Sequence, residues 1–178
     1  KGHENAQAMC AAAAQATGRE AEDFAVASTG VIGQALNISA IEAGIPGIAA
    51  GLSPENSGLA AEAIMTTDRN KKEIALSLEL GGKEVKIGAI AKGSSMIHPN
   101  MGTMLCFVTT DCAITHQMLE EALRDVTART FNRVVVDGDS SSNDMCVALA
   151  NGMAGNPLIE WKDEDYETFV GALETVCT

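Results

Sequence analysis

An alternating run of apolar residues constrains the fold of this chain more than any other feature of its sequence. From Ile74 to Leu80 every second residue is isoleucine or leucine, and Val85, Ile87 and Ala89 alternate in the same way after Gly81-Gly82. Side chains of a strand point to its two faces in turn, and two glycines supply the positive φ angles of a tight hairpin turn. The pattern predicts a β-hairpin with one apolar face.

Helical and strand patterns alternate along the rest of the chain. Pro46 argues against one continuous helix in the second helical segment. With no internal repeat or linker, the sequence predicts an α/β fold of layered sheets flanked by helices, in a single domain covering residues 1–178. The predicted helices cover residues 4–17, 38–50, 54–63, 115–129, 143–151 and 163–176, and further strands cover residues 24–28, 104–110 and 134–136.

The charge of the chain limits the partners that it can bind. The sequence has 24 acidic and 12 basic residues, a net charge of -12. Nucleic acids and anionic membranes would repel this field, so we expect neither as a partner. Small polar metabolites stay open as partners. The sequence lacks both a long uninterrupted apolar stretch and a signal-peptide pattern, so the expected compartment is the cytosol.

Cysteine and acidic residues do not predict a metal site. The five cysteines are odd in number and form no Cys-x-x-Cys pair, which favours reduced, buried thiols. The acidic segment from Asp137 to Asp144 lacks the glycine and the glutamate that a calcium loop needs, since Ser142 and Ala148 stand at those positions. We instead expect Asn143 or Asp144 to cap a helix.

The Gly102-Thr103 dipeptide has the features of a self-cleavage site. It precedes a predicted strand and follows a loop rich in small residues. Glycine leaves its carbonyl group unshielded, so the Thr103 hydroxyl could attack it and form an ester that hydrolyses. The new α-amine would have a pKa of about 7.7 to 8.0 and could serve as the base for its own hydroxyl. Taken alone, the dipeptide is more often only the start of a strand.

Three further segments carry residues with the right chemistry for an acyl-transfer site. Thr29-Gly30 follows a predicted strand, where a hydroxyl and a backbone amide can stabilise an oxyanion. Thr66-Thr67 precedes Asp68, and Lys92 opens the loop before Thr103, where a lysine can bind a carboxylate. Each segment alone is ordinary: a turn, a strand end and a surface lysine.

Together these segments resemble the ornithine acetyltransferase family over essentially the whole chain. The motifs that carry the resemblance are Thr29-Gly30, Met65-Thr66-Thr67-Asp68, Lys92-Gly93-Ser94-Ser95-Met96-Ile97-His98-Pro99-Asn100-Met101-Gly102-Thr103 and Val136-Asp137-Gly138-Asp139. The resemblance implies the fold of that self-processing family and cleavage into an α-chain part, 1–102, and a β-chain part, 103–178. It further implies Thr103 as nucleophile, Thr29 and Gly30 as oxyanion hole, and Thr66 and Lys92 as substrate ligands, with Thr67 as the substitute for Thr66.

The resemblance also implies a reaction. An enzyme of this family moves an acetyl group from N2-acetylornithine to glutamate through an acetyl-threonine, in arginine biosynthesis, and some members also accept acetyl-CoA. No metal or bound redox cofactor is implied, and the expected assembly is an α2β2 heterotetramer. Two alternatives stay open: an N-terminal-nucleophile amidase or aminopeptidase that delivers the acyl group to water, and a non-catalytic assembly or binding domain.

This chain departs from the family pattern in three respects. It lacks the segment that carries a substrate-binding glutamate in family members, so part of the pocket cannot be assigned. Thr103 is also internal to one chain, although the processed enzyme has it as the first residue of a separate chain. A serine stands at position 95, where many relatives have glycine.

Overall fold

A computed structural model describes residues 1–31, 33–95, 104–139 and 141–178. The chain divides into two compact units, Lys1–Gly58 and Leu59–Thr178. Each unit is described by itself below. The assignment of the whole chain to one catalytic domain stays a prediction.

The first unit contains two helices that pack against each other. Helix α1 covers Gly2–Thr17, and its alanine-rich sequence favours helix formation. It ends at Gly18, whose φ of 68° is left-handed and whose N–H donates to the Ala14 carbonyl. Helix α2 covers Ile38–Ala50, and the side chain of Asn37 caps it by accepting a hydrogen bond from the Ala40 N–H.

Two expectations for the first unit are wrong. Pro46 lies inside a continuous α2, because a proline removes only one hydrogen bond of the helix and packing against α1 offsets that loss. The segment from Phe24 to Ser28 is irregular instead of a strand. A short apolar run forms a strand only beside a partner, and the described part of the first unit contains no strand.

The second unit contains a four-stranded sheet. Its strand order is β1-β2-β3-β4, with antiparallel pairing of the first three strands and parallel pairing of β3 with β4. The predicted hairpin and the predicted strand before Thr110 are confirmed, and so is the α/β class. The strands are β1 (Lys72–Leu80), β2 (Lys83–Lys92), β3 (Leu105–Thr110) and β4 (Met145–Ala150).

The remaining helices begin at side-chain caps or at a proline turn. Helix α4 (His116–Arg129) is capped by Thr115, and helix α5 (Glu164–Cys177) by Asp163. Helix α3 (Ser57–Ala63) spans the division between the units and follows a 3-10 turn, Pro54–Asn56. Short 3-10 helices also cover Ala21–Asp23 and Phe131–Arg133. No helix in the described ranges is long and apolar enough to cross a membrane.

One face of the sheet forms the hydrophobic core of the second unit. Val85, Ile87 and Val108 are buried on this face. Helix α5 packs against β1 and β2, and α4 packs against α5. The buried residues of α4 form an apolar stripe, since they lie four residues apart and therefore on one side of the helix. The buried members of this stripe are Met118, Ala122 and Val126.

Two predictions between β3 and α5 are wrong. A helix was predicted for residues 143–151, but Met145–Ala150 form strand β4, which pairs in parallel with β3. A short apolar run has no period that distinguishes a buried strand from a helix. Residues 134–136 are three valines, yet they form no strand. Their side chains are 45% to 56% exposed, so high β-propensity is not enough where burial is missing.

The two glycines of the β1–β2 turn differ in their surroundings. Both have left-handed φ angles, 54° at Gly81 and 74° at Gly82. A Cβ atom at Gly81 would lie 2.3 Å from Cδ of Pro157, whereas a Cβ atom at Gly82 would meet nothing within 4 Å. The turn therefore needs glycine twice for its backbone, but only Gly81 also needs it for space.

We expect Gly81→Ala to destabilise the complete protein more than Gly82→Ala does. Each substitution costs about 1 kcal/mol for the left-handed backbone, and the contact with the rigid Pro157 ring adds about 1 to 3 kcal/mol at position 81 only. Chemical denaturation of the two variants measures the difference. Equal losses of unfolding free energy would show that the Pro157 contact has no cost.

Candidate active site

The carboxylate of Asp68 joins two of the motifs that the sequence singled out. Its Oδ1 accepts hydrogen bonds from the Gly93 N–H at 2.8 Å and from Lys72 Nζ at 2.6 Å. Its Oδ2 accepts a weaker bond from the Thr66 N–H at 3.3 Å. The side chain is fully buried. Asp68 therefore holds the Thr66 segment against the residue that follows Lys92.

The hydrogen bonds of Asp68 decide its ionisation. Burial alone raises the pKa of a carboxyl group, but the bonds from Lys72, Gly93 and Thr66 outweigh it and lower the pKa of Asp68 to about 2. The group is therefore ionised at neutral pH. A buried charge of this kind is retained when several donors compensate it.

The Thr67 hydroxyl also contacts the Lys92 loop. Its Oγ1 lies 2.7 Å from Oγ of Ser94, and both atoms are polar groups of an open depression of about 620 Å³. Thr66 contributes its N–H to Asp68, and its residue is exposed. The preference for Thr66 over Thr67 as substrate ligand stays a prediction. The depression is lined by Thr67, Arg69, Asn70, Lys72, Gly93, Ser94 and Ser95.

Lys92 is not a surface lysine. Only 3% of its surface is exposed, although lysine is seldom buried in proteins. It pairs with Leu105 across β2 and β3, and strand alternation directs its side chain away from the face on which Ala91 contacts the core. Burying an ammonium group is costly, so the burial of Lys92 indicates that this group has a specific role.

The backbone of Met104, the residue after Thr103 in the sequence, forms hydrogen bonds with residues at the start of β4. The Met104 N–H donates to Oδ1 of Asp144 at 2.8 Å, and the Met104 carbonyl accepts from the Met145 N–H at 2.9 Å. Both backbone polar groups of Met104 are thus satisfied by two consecutive residues. The expectation that Asp144 or Asn143 caps a helix is wrong, because a strand begins at Met145.

Asp144 has an environment different from that of Asp68. Within the described residues its Oδ2 is buried and has no hydrogen-bond partner. Burial raises the pKa of the Asp144 carboxyl, and the Met104 hydrogen bond and the charge of Lys92 only partly oppose this effect. Asp144 and Lys92 therefore interact electrostatically beside Met104.

Close packing brings Gly93 and Met104 together. A Cβ atom at Gly93 would lie 3.4 Å from Cβ of Met104, and the φ of Gly93 is 154°. Lys92 and Leu105 are themselves cross-strand partners. The ends of β2 and β3 therefore bring Lys92, Met104 and Asp144 into one region, and Asp68 attaches the Thr66 segment to it.

Other predicted site residues cannot be joined to this region. Gly102 and Thr103 lie outside the described residues. Thr29 is half-buried and Gly30 is exposed, and both belong to an irregular segment of the first unit. The roles of these four residues stay predictions.

Three buried cysteine thiols of the second unit, those of Cys106, Cys112 and Cys177, are unsuited to nucleophilic chemistry. Burial raises the pKa of Cys112 to about 11 and that of Cys177 to about 12. A hydrogen bond with Cys146, together with burial, also raises the pKa of Cys106. Thiols of this kind are protonated at neutral pH and poorly reactive. Among the residues that the structure describes, no group of three histidine, cysteine or acidic side chains is arranged to hold a metal ion.

Sequence reasoning missed the roles of Asp68 and Asp144. Both aspartates stand in segments that the sequence analysis quoted, but their spacing along the chain does not indicate which backbone groups they bind. Asp68 binds a residue 25 positions away, and Asp144 one that is 40 positions away. The pairing of β1 with β2 brings Asp68 to Gly93, and the pairing of β3 with β4 brings Asp144 to Met104.

The fold and these contacts define an α/β unit with a polar site at neighbouring strand ends. The model of the ArgJ family matches residues 1–178. The chain is 54% identical over 176 residues to the arginine biosynthesis bifunctional protein ArgJ of Symbiobacterium thermophilum, and 46% identical over 177 residues to that of Bacillus subtilis. This chain therefore belongs to the ArgJ family.

The chain spans less than half the length of these relatives. The alignments cover 99% of this chain but 44% of the Symbiobacterium protein and 43% of the Bacillus subtilis protein. A crystal structure of the arginine biosynthesis bifunctional protein ArgJ from Bacillus halodurans is 46% identical to this chain. The structural match covers 40% of this chain and 33% of the chain in the crystal structure, with a TM-score of 0.39.

We expect Asp68→Asn to destabilise the complete protein at neutral pH by about 2 kcal/mol, the equivalent of lowering the pKa from 3.8 to about 2. A lowered pKa stabilises the fold above the unfolded pKa, and this contribution is lost as the pH falls through 3.8 towards 2. Chemical denaturation at several pH values measures it. The control is the same change at the exposed Asp139. If the difference in unfolding free energy between wild type and Asp68→Asn does not shrink in acid, the lowered pKa of Asp68 is contradicted.

Proposed function

We propose that the complete protein transfers an acetyl group from N2-acetylornithine to glutamate, with Thr103 as the nucleophile. Membership in the ArgJ family supports this proposal, because the similar proteins are named for arginine biosynthesis. The observation that carries it to particular residues is the burial of Lys92 beside Met104 and Asp144. A buried cation near the residue that follows the proposed nucleophile in the sequence suits a substrate that carries a carboxylate.

The proposed reaction has two transfer steps. The Thr103 hydroxyl attacks the acetyl carbon of acetylornithine, its proton passes to the α-amine of Thr103, and the amide C–N bond breaks. That α-ammonium returns the proton to the leaving amine of ornithine. The amine of glutamate then attacks the acetyl ester, so N-acetylglutamate forms and the hydroxyl is restored. Thr29 and Gly30 stabilise both tetrahedral intermediates, and Lys92 and Thr66 hold the substrate.

The same site can be proposed for other donors and assemblies. Acetyl-CoA would deliver its acetyl group to the same hydroxyl, with a thiol as leaving group. Self-cleavage between Gly102 and Thr103 would create the two chains of an α2β2 heterotetramer. A hydrolase that shares the self-cleavage would release acetate from acetylornithine at a rate that glutamate leaves unchanged, and this separates it from a transferase.

We expect the complete protein to yield a fragment that begins at Thr103, and the Thr103→Ala variant to stay intact and inactive. Denaturing mass spectrometry with N-terminal sequencing detects the fragment. Assays of acetylornithine with and without glutamate then measure the transfer. An intact wild-type chain that does not turn over acetylornithine would favour the non-catalytic binding domain instead.

A second prediction concerns Lys92. Replacing it with methionine preserves most of its volume but removes the ammonium group, so we expect the KM for acetylornithine to rise by about tenfold or more. Lys86 lies on the same strand and is exposed, so Lys86→Met is the matched control and should leave KM unchanged. Steady-state kinetics of both variants measure the effect. Equal KM values for the two variants would argue against a carboxylate ligand at Lys92.

A further inference from the structure

The Asp144-Met145 pair fixes the backbone of Met104 from both sides. Asp144 accepts the N–H of Met104 at 2.8 Å, and Met145 donates to its carbonyl at 2.9 Å. The second bond belongs to a backbone ladder that any residue at position 145 other than proline would form. The first bond requires a short acceptor side chain at position 144, so it depends on the identity of that residue.

We propose that Asp144 is a positioning residue of the acyl-transfer site, which holds through Met104 the carboxyl-terminal side of the Gly102–Thr103 junction. This inference rests on the proposed role of Thr103. Asp144 acts through the backbone of the residue that is covalently joined to Thr103, and it needs no contact with substrate. Misplacing a nucleophile by a fraction of an ångström slows a reaction strongly, because reactive geometry is narrow.

The fold tolerates Asp144 at a cost, which supports a role beyond stability. Its Oδ2 is buried, and no residue in the described ranges is its hydrogen-bond partner. Burial raises the pKa of its carboxyl. Buried acceptors are nearly always hydrogen-bonded, and those left unsatisfied reduce stability. A buried carboxylate with one oxygen that no described residue binds is a poor choice for stability alone.

Lys92 supplies part of the compensation. Its charge lowers the pKa of Asp144 and opposes the effect of burial. The same lysine is the proposed ligand of the substrate carboxylate. Asp144 therefore interacts with Met104, which follows the proposed nucleophile, and with Lys92, the proposed substrate ligand.

Two substitutions separate the holding role from the charge. Asp144→Ala removes the acceptor of the Met104 N–H, whereas Asp144→Asn preserves one acceptor oxygen at the same position. We expect self-cleavage of the complete Asp144→Ala protein to slow by about tenfold or more, the loss of one hydrogen bond to a charged group. The self-cleavage rate of Asp144→Asn should stay within about threefold of the wild-type rate, because this variant loses less than the energy of one neutral hydrogen bond. The exposed Glu160, changed to alanine, is the control.

The test measures the first-order rate of cleavage, followed by mass spectrometry, and then kcat and KM for acetylornithine once cleavage is complete. A positioning role predicts a lower kcat with an unchanged KM in Asp144→Ala, and rescue of both rates by asparagine. Wild-type cleavage rates in Asp144→Ala, or equally slow cleavage in both variants, would overturn the inference. If the alanine variant does not fold, slow cleavage in a folded Asp144→Asn protein overturns it as well. Absence of cleavage in the wild type would instead refute the proposed function.

Discussion

The buried carboxylate of Asp68 is the interaction on which the site of this chain depends most directly. It binds the Thr66 N–H, the Gly93 N–H and Lys72, and so joins the segment before β1 to the end of β2. No apolar contact could replace it, because the two backbone N–H groups need an acceptor. The substrate residues proposed from two separate motifs are neighbours because one charged side chain binds both segments.

The parts of the fold that could be predicted are those with strong local signals. The hairpin followed from period-two alternation and two glycines, and α4 and α5 lie close to their predicted ranges, 115–129 and 163–176. Strand β4 and the valines at 134–136 were predicted wrongly, since both outcomes depend on whether a partner strand is available. Pro46 was expected to break α2, but packing against α1 outweighs its local effect.

The candidate site was predictable in its residues but not in its contacts. Lys92 and the Thr66 segment were proposed from a family resemblance, while their residue types alone favoured a surface lysine and a strand end. The burial of Lys92 is a tertiary property, since it depends on Leu105 of the neighbouring strand and on the approach of Asp144. The same holds for the bond between Asp144 and Met104, which needs the parallel pairing of β4 with β3.

Asp68 and Asp144 show how the number of donors decides the charge of a buried carboxylate. Both lose hydration, which raises their pKa values. Asp68 receives three hydrogen bonds, one of them from a cation, and its pKa falls below the ordinary range. From the described residues Asp144 receives one hydrogen bond, and the charge of Lys92 is not enough to reverse the effect of burial. The fold therefore stabilises the carboxylate that joins its segments, whereas the described residues compensate the carboxylate that binds Met104 only in part. Ionisable groups with perturbed pKa values are frequent at functional sites.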